Sequence, residues 1–117
     1  MAKTVLSGNL RRYNGDMTEL DKRISVSRTV TEYGGNKVTI APGSTDISVM
    51  PAGLACARTL YIETDNKLNV EITGVRVASF DVYSNGAMAL LNASLSNVKL
   101  SNRSATLICK PFYDLSG

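Results

Sequence analysis

The stretch that decides the fold runs Thr59-Leu60-Tyr61-Ile62-Glu63-Thr64, then Asp65-Asn66-Lys67, then Leu68-Asn69-Val70-Glu71-Ile72-Thr73. Leu60, Ile62 and Thr64 alternate with Tyr61, Glu63 and Asp65. Leu68, Val70 and Ile72 alternate with Asn69, Glu71 and Thr73. Successive side chains of a strand point to opposite faces, so each run has one apolar and one polar row. Asp65 and Asn66 supply turn chemistry, because both side chains bond locally and both tolerate left-handed backbone. The stretch therefore predicts a β-hairpin of two half-buried strands.

Working outward towards the N-terminus, Leu54 to Arg58 is too short for a stable helix and reads as a connection or one helical turn. Short strands are expected over Lys37 to Ala41 and Asp46 to Met50, separated by Pro42-Gly43-Ser44-Thr45. Leu20 to Glu32 is a longer alternating run. Leu20, Ile24, Val26 and Val30 share its apolar parity with Lys22 and Arg28, whose long stems snorkel to the edge of a core. Its other row is rich in Ser and Thr, and as an edge strand it would be open to docking. Residues 1–18 hold a possible strand at Lys3 to Leu6 and turn-rich segments around Arg11-Arg12. They read as an N-terminal arm ahead of one domain over residues 19–117.

Towards the C-terminus, a phase change near Val77 suggests a turn or bulge, and Ser84-Asn85-Gly86 is a turn. Strands are expected at Met88 to Leu90, at Ser94 to Ser101, and at Ala105 to Lys110, where Ala105, Leu107 and Cys109 would share one side. Pro111 is expected to end the ordered chain, because proline cannot donate to a central ladder. Seven to nine short strands without a convincing helix predict an all-β antiparallel β-sandwich, jelly-roll or immunoglobulin-like. The absence of tryptophan argues against an immunoglobulin domain proper.

Composition limits function more than it assigns it. The chain has 117 residues, enough for one core, and its net charge is only +3 from 13 basic and 10 acidic residues. Basic residues are scattered, unlike a nucleic-acid footprint, and no apolar run reaches the roughly 20 residues of a membrane helix. The first residues lack the apolar run of a secretory signal, so synthesis in a cytoplasm is expected. There is no histidine, which removes every histidine-based triad and most general-base designs. Cys56 and Cys109 have no nearby ligand pattern and are expected to be small, buried, unbridged residues.

Two carboxylates, Glu63 and Glu71, would approach each other across the expected hairpin, the arrangement that glycoside hydrolysis requires. A solvated polar face explains them as well. Asp65 and Asn66, joined by Asp16 or Asp81, fall short of the six to eight oxygens that calcium takes. No catalytic residue, metal ligand or cofactor is expected. Tyr33, Tyr61 and Tyr83 could stack on sugar rings, which keeps a carbohydrate-binding or adhesin-like module in view.

The order of parts carries one resemblance. A polar arm, Arg23-Ile24-Ser25-Val26, Ile40-Ala41-Pro42-Gly43-Ser44-Thr45-Asp46, Thr59 to Asp65 and the segment Ala105-Thr106-Leu107-Ile108-Cys109 resemble the small β-sandwich virion proteins of tailed bacteriophages. The resemblance implies a non-enzymatic structural protein, most readily a capsid decoration or cement protein, otherwise a tail or fibre component. It implies a symmetric homo-oligomer bound to a major capsid or tail protein, residing in the virion after synthesis in the bacterial cytoplasm. No membrane or nucleic-acid partner is expected. Arg11, Arg12 and Tyr13 are the candidate anchors of the arm. Arg28 and Tyr61 are further candidate assembly residues.

Overall fold

A computed structural model describes residues 2–30 and 33–117, with the side chains of Ala2 and Arg28 outside the description. The chain divides into two compact units, Met1–Thr31 and Glu32–Gly117. Thr18 and Glu19, where the sequence suggests a boundary between arm and domain, both lie inside a strand of the first unit.

The first unit is a long hairpin. Strand β1 (Ala2–Asn14) pairs antiparallel with β2 (Met17–Val30), and the register shifts once, next to Arg12 and Tyr13. Gly15 turns the chain at φ +62°, a left-handed conformation that glycine adopts without a Cβ clash. The alternating run from Leu20 is therefore a strand, as expected, and it starts at Met17. Its partner is the segment read as an arm. Thr31 and Glu32, the end of the expected run, fall outside the described residues.

Among the described residues the second unit holds eight strands, which with the two of the hairpin make ten, more than the expected seven to nine. The eight are β3 (Tyr33–Lys37), β4 (Ile47–Ser48), β5 (Ala57–Glu63), β6 (Leu68–Thr73), β7 (Val77–Val82), β8 (Ala87–Leu95), β9 (Asn97–Ser101) and β10 (Phe112–Ser116). One sheet has the order β3-β10-β5-β8 and the other β4-β9-β6-β7. Counted from the first strand of this unit, the orders are 1-8-3-6 and 2-7-4-5, the interleaved pattern of a jelly roll. The fold is an all-β antiparallel jelly-roll sandwich.

That strand order corrects the reading of Thr59 to Thr73. Strands β5 and β6 do not pair. The first bonds to β10 and β8, the second to β7 and β9. Thr64 to Lys67 form an arch between sheets. Leu60 and Ile62 of one sheet and Leu68 and Val70 of the other are all fully buried in one core. The period of two was right. Period alone does not say whether two rows lie side by side in one sheet or face each other across a core.

Side-chain bonding fixes the arch. Thr64 Oγ1 donates to Asn66 O at 2.6 Å, and Asp65 Oδ1 accepts the N–H of Asn66 at 2.8 Å. Asn66 Nδ2 donates to Ile108 O at 2.8 Å. The Cys109 thiol donates to Lys67 O, with sulfur and oxygen 3.1 Å apart. The backbone of the arch thus finds partners in a segment some 40 residues downstream, as buried polar groups require.

The same downstream segment corrects a second expectation. Ala105 to Lys110 is not a closing strand; only Cys109 makes a bridge, with Ile40, and Leu107 and Ile108 are exposed. The closing strand is β10, after Pro111, and it is central, between β3 and β5. Pro111 is fully buried, and its carbonyl accepts the N–H of Val38 at 3.0 Å. A proline just ahead of a strand loses no ladder donor, so it does not stop the chain. The Asn-Gly turn is present as expected: Gly86 N donates to Tyr83 O at 2.9 Å, with Asn85 at φ +59°.

Candidate functional site

Two surfaces combine unusual side chains, one on each unit. The first is a face of the hairpin. In-register pairs Leu6 with Val26, Gly8 with Ile24, Leu10 with Lys22 and Arg12 with Leu20 place even-numbered residues of both strands on one side. That side is apolar along most of its length. Strand β1 spans 13 residues, about 40 Å at the usual rise of about 3.3 Å per residue. Leu10 is 53% exposed and Ile24 40%, while Leu6, Leu20 and Val26 are half-buried. The opposite side is polar apart from the exposed Val5, which faces Ser27: Lys3 faces Thr29, Ser7 faces Ser25, Asn9 faces Arg23, and Arg11 faces Asp21.

The expected anchors fall on this hairpin. Arg11 Nε donates to Asp21 Oδ1 at 3.4 Å, so its charge is met within the unit by an exposed ion pair of small energetic worth. Arg12 sits on the apolar side opposite Leu20. Tyr13 is 59% exposed, opposite Thr18 just past the register shift. Arg28 pairs in register with Thr4, and its side chain lies outside the described residues. Each strand keeps one edge without a partner among the described residues. The expected docking edge of β2 is therefore half covered, by β1.

Tyr61 belongs to the other unit and to a different surface. It stands on the outer face of β5, where its hydroxyl donates to Glu63 Oε2 at 2.8 Å. This bond holds the Tyr61 phenol above its ordinary pKa, with a small further push from burial. Its ring is 6.4 Å from that of Phe112, at 57°. In register, β3, β10, β5 and β8 bring Lys37, Phe112, Glu63 and Ala87 side by side.

At the end of that row is a cleft of about 430 Å³, lined by Lys37, Glu63, Asp65, Asn85, Lys110 and Phe112 among others. Its floor is tied by Thr64 N to Gly86 O at 3.1 Å and Asn85 N to Asp65 O at 3.2 Å. The Lys110 backbone N–H, donated to Asp65 Oδ1 at 2.8 Å, holds the Asp65 carboxyl below its usual range; the N–H of Asn66 lowers it further. Asp114, next to Tyr61 in the ladder, is raised by burial. Two ammonium groups, two carboxylates, an aromatic ring and an amide give this cleft hydrogen-bonding and stacking capacity.

The candidate carboxylate pair is not assembled. Glu63 lies on the outer face of one sheet and Glu71 on the outer face of the other, with the core between them. The hairpin reading brought them together, and it falls with the arch. The candidate calcium oxygens are also dispersed. Asp81 lies 3.7 Å from Lys67 Nζ, Asp16 belongs to the other unit, and no cluster of three metal-binding side chains occurs among the described residues. Cys56 and Cys109 are free thiols; Cys109 is buried as expected, whereas Cys56 is partly exposed.

Phe112, Lys37 and Lys110 were not legible as site residues. Only the pairing of β10 with β3 and β5 gathers them, and proline before Phe112 masks that strand. Leu6 and Leu10 share the even parity of Leu20 and Ile24, a signal that becomes visible once Asn14-Gly15 is taken as a hairpin turn.

No family model and no curated protein matches the chain. Among solved structures it is similar to the cupin domain of Schizosaccharomyces pombe Cnp3, at 8% identity and a TM-score of 0.47. The match covers 96% of this chain and 83% of that one. A likeness of this degree carries no argument, and the jelly-roll assignment rests on strand order.

Proposed function

We propose that this protein is a non-enzymatic structural module that works by assembly, with the jelly roll as body and the hairpin as docking element. The observation that carries the reading is the hairpin itself. A two-stranded ribbon is marginal in water unless its apolar face is covered. Here one side presents Leu6, Leu10, Leu20, Ile24 and Val26, with Leu10 and Ile24 open to solvent. Exposed apolar strips of this kind mark interaction surfaces.

The resemblance to small β-sandwich virion proteins extends this reading to a phage particle. In that setting the protein decorates a capsid as symmetric copies, and its hairpin grips a neighbouring virion protein. A tail or fibre position is the alternative within the same reading. The test is binding to purified particles of the phage that encodes the chain. The full chain should cosediment in stoichiometric amount, and a variant lacking residues 2–30 should fold and stay in the supernatant. Failure of the full chain to bind, or equal binding by the deletion, contradicts the proposal.

The cleft supports a second reading, a carbohydrate-binding module. Phe112 offers a stacking face 38% exposed, beside Glu63, whose carboxylate is oriented by Tyr61. Tyr33 and Tyr83 are exposed but do not line the cleft. A glycan array should separate the readings: hits lost on Phe112→Ala favour the module, and an empty array removes it.

A further inference from the structure

We infer that the even-numbered face of the hairpin docks a different protein, whose contact surface is apolar at its centre and carries carboxylates around it. This rests on the docking role proposed above and names the chemistry of the partner.

Charge is the first argument. Residues 1–31 contain six basic side chains (Lys3, Arg11, Arg12, Lys22, Arg23 and Arg28) against three acidic ones (Asp16, Glu19 and Asp21). Residues 32–117 contain seven of each. The whole excess of +3 therefore belongs to the hairpin unit. On the apolar face, Arg12 and Lys22 stand among Leu10, Leu20 and Ile24, the position of Arg28 shares the same parity opposite Thr4, and no acidic residue shares that face. Asp21 is paired with Arg11 on the other face, Asp16 is in the turn, and Glu19 has no partner at the register shift. A surface covering this face must bury leucine and isoleucine and meet at least the two cations of Arg12 and Lys22, which complementary carboxylates do.

A second copy of the chain meets this requirement poorly. Face-to-face packing of two such hairpins would crowd Arg12 and Lys22 of both copies with no counter-charge. Like charges in juxtaposition are unfavourable. A polyanion such as duplex nucleic acid would meet the cations but leave the apolar row in water. A bilayer would cover the row but not the two open strand edges, whose N–H and C=O groups lipid cannot satisfy. A protein surface can do all three, because it can also add a strand to an edge.

The test uses the full chain and a synthetic peptide alternating valine and glutamate, with a valine–lysine peptide as control. Binding is followed by fluorescence anisotropy. The acidic peptide should bind and the basic one should not. Raising NaCl from about 50 to about 500 mM should weaken binding. Arg12→Glu with Lys22→Glu should weaken it roughly tenfold or more, and Ile24→Ser should also weaken it. If Ile24→Ser abolishes binding while the charge reversal has no effect, the hairpin docks but its partner is not acidic, and this inference falls alone. If neither substitution matters, the docking role falls with it. Binding to vesicles of equal phosphatidylserine and phosphatidylcholine, or to duplex DNA, that depends on Arg12 and Lys22 but not on Ile24 overturns the inference in favour of a polyanion. A solution mass that grows with concentration and returns to monomer on Ile24→Ser overturns it in favour of a second copy.

Discussion

Asp65 and Lys110 are joined across the jelly roll: the Lys110 backbone N–H donates to Asp65 Oδ1 at 2.8 Å. The same oxygen accepts the N–H of Asn66 at 2.8 Å. One exposed carboxylate thus clamps the arch between sheets to the segment that leads into β10. Its pKa is lowered, first by the Lys110 N–H. A depressed folded-state pKa contributes stability that is present above the ordinary carboxylate range near 4 and is lost as pH falls through the folded value. Asp65→Asn should therefore cost about 1 kcal/mol at neutral pH, allowing for solvent screening. The gap between wild type and variant should close as pH falls through the lowered folded-state pKa. Urea denaturation of both proteins across pH checks the sign, and a gap that widens in acid would contradict it.

Asn102 should matter more. It is fully buried, and its Nδ2 donates to Ile40 O at 3.0 Å and Leu107 O at 2.8 Å, while its Oδ1 accepts Ser104 N–H at 3.1 Å. Asn102→Leu leaves the Leu107 carbonyl and the Ser104 N–H without their partner, while Ile40 O keeps only the Cys109 N–H at 3.1 Å. A loss of about 2–4 kcal/mol is expected from denaturation, since each buried unsatisfied group costs about 1–3 kcal/mol. Asn102→Asp should be at least as damaging, because it removes both donors and introduces a buried charge.

The two thiols should differ in reactivity. Cys109 is fully buried, its pKa is raised by burial, and it donates to Lys67 O. Cys56 is partly exposed and lies 3.3 Å from Ser94 Oγ. A thiol reagent added to the native protein should modify one cysteine promptly and the second only on unfolding. Mass spectrometry of a tryptic digest should place the first label on Cys56.

The sequence declared each strand's apolar row more clearly than its neighbours. Leu60, Ile62, Leu68 and Val70 were legible as inward residues, and all four are in the core. Their pairing was not legible, because an arch and a hairpin present the same alternation. In this jelly roll, only β6 and β7 are consecutive in the chain and neighbours in a sheet within the second unit. A preference for local hairpins is therefore a poor guide here. Proline 111 concealed the last strand, since its missing donor matters only inside a ladder and it stands just before one. The basic residues Arg11 and Arg12 stood out as anchors, but their environment did not. Leu10 and Leu20 flank them only through the register set by the turn at Gly15.

The central claim is that the hairpin is a docking element awaiting a partner while the jelly roll is complete in itself. Hydrogen–deuterium exchange of the dilute, monomeric protein tests it most directly. Backbone amides of residues 2–30 should exchange much faster than those of β5, β6 and β9, whose strands flank a fully buried core. Hairpin amides as strongly protected as those of Leu60 and Val70 in the isolated monomer would contradict it.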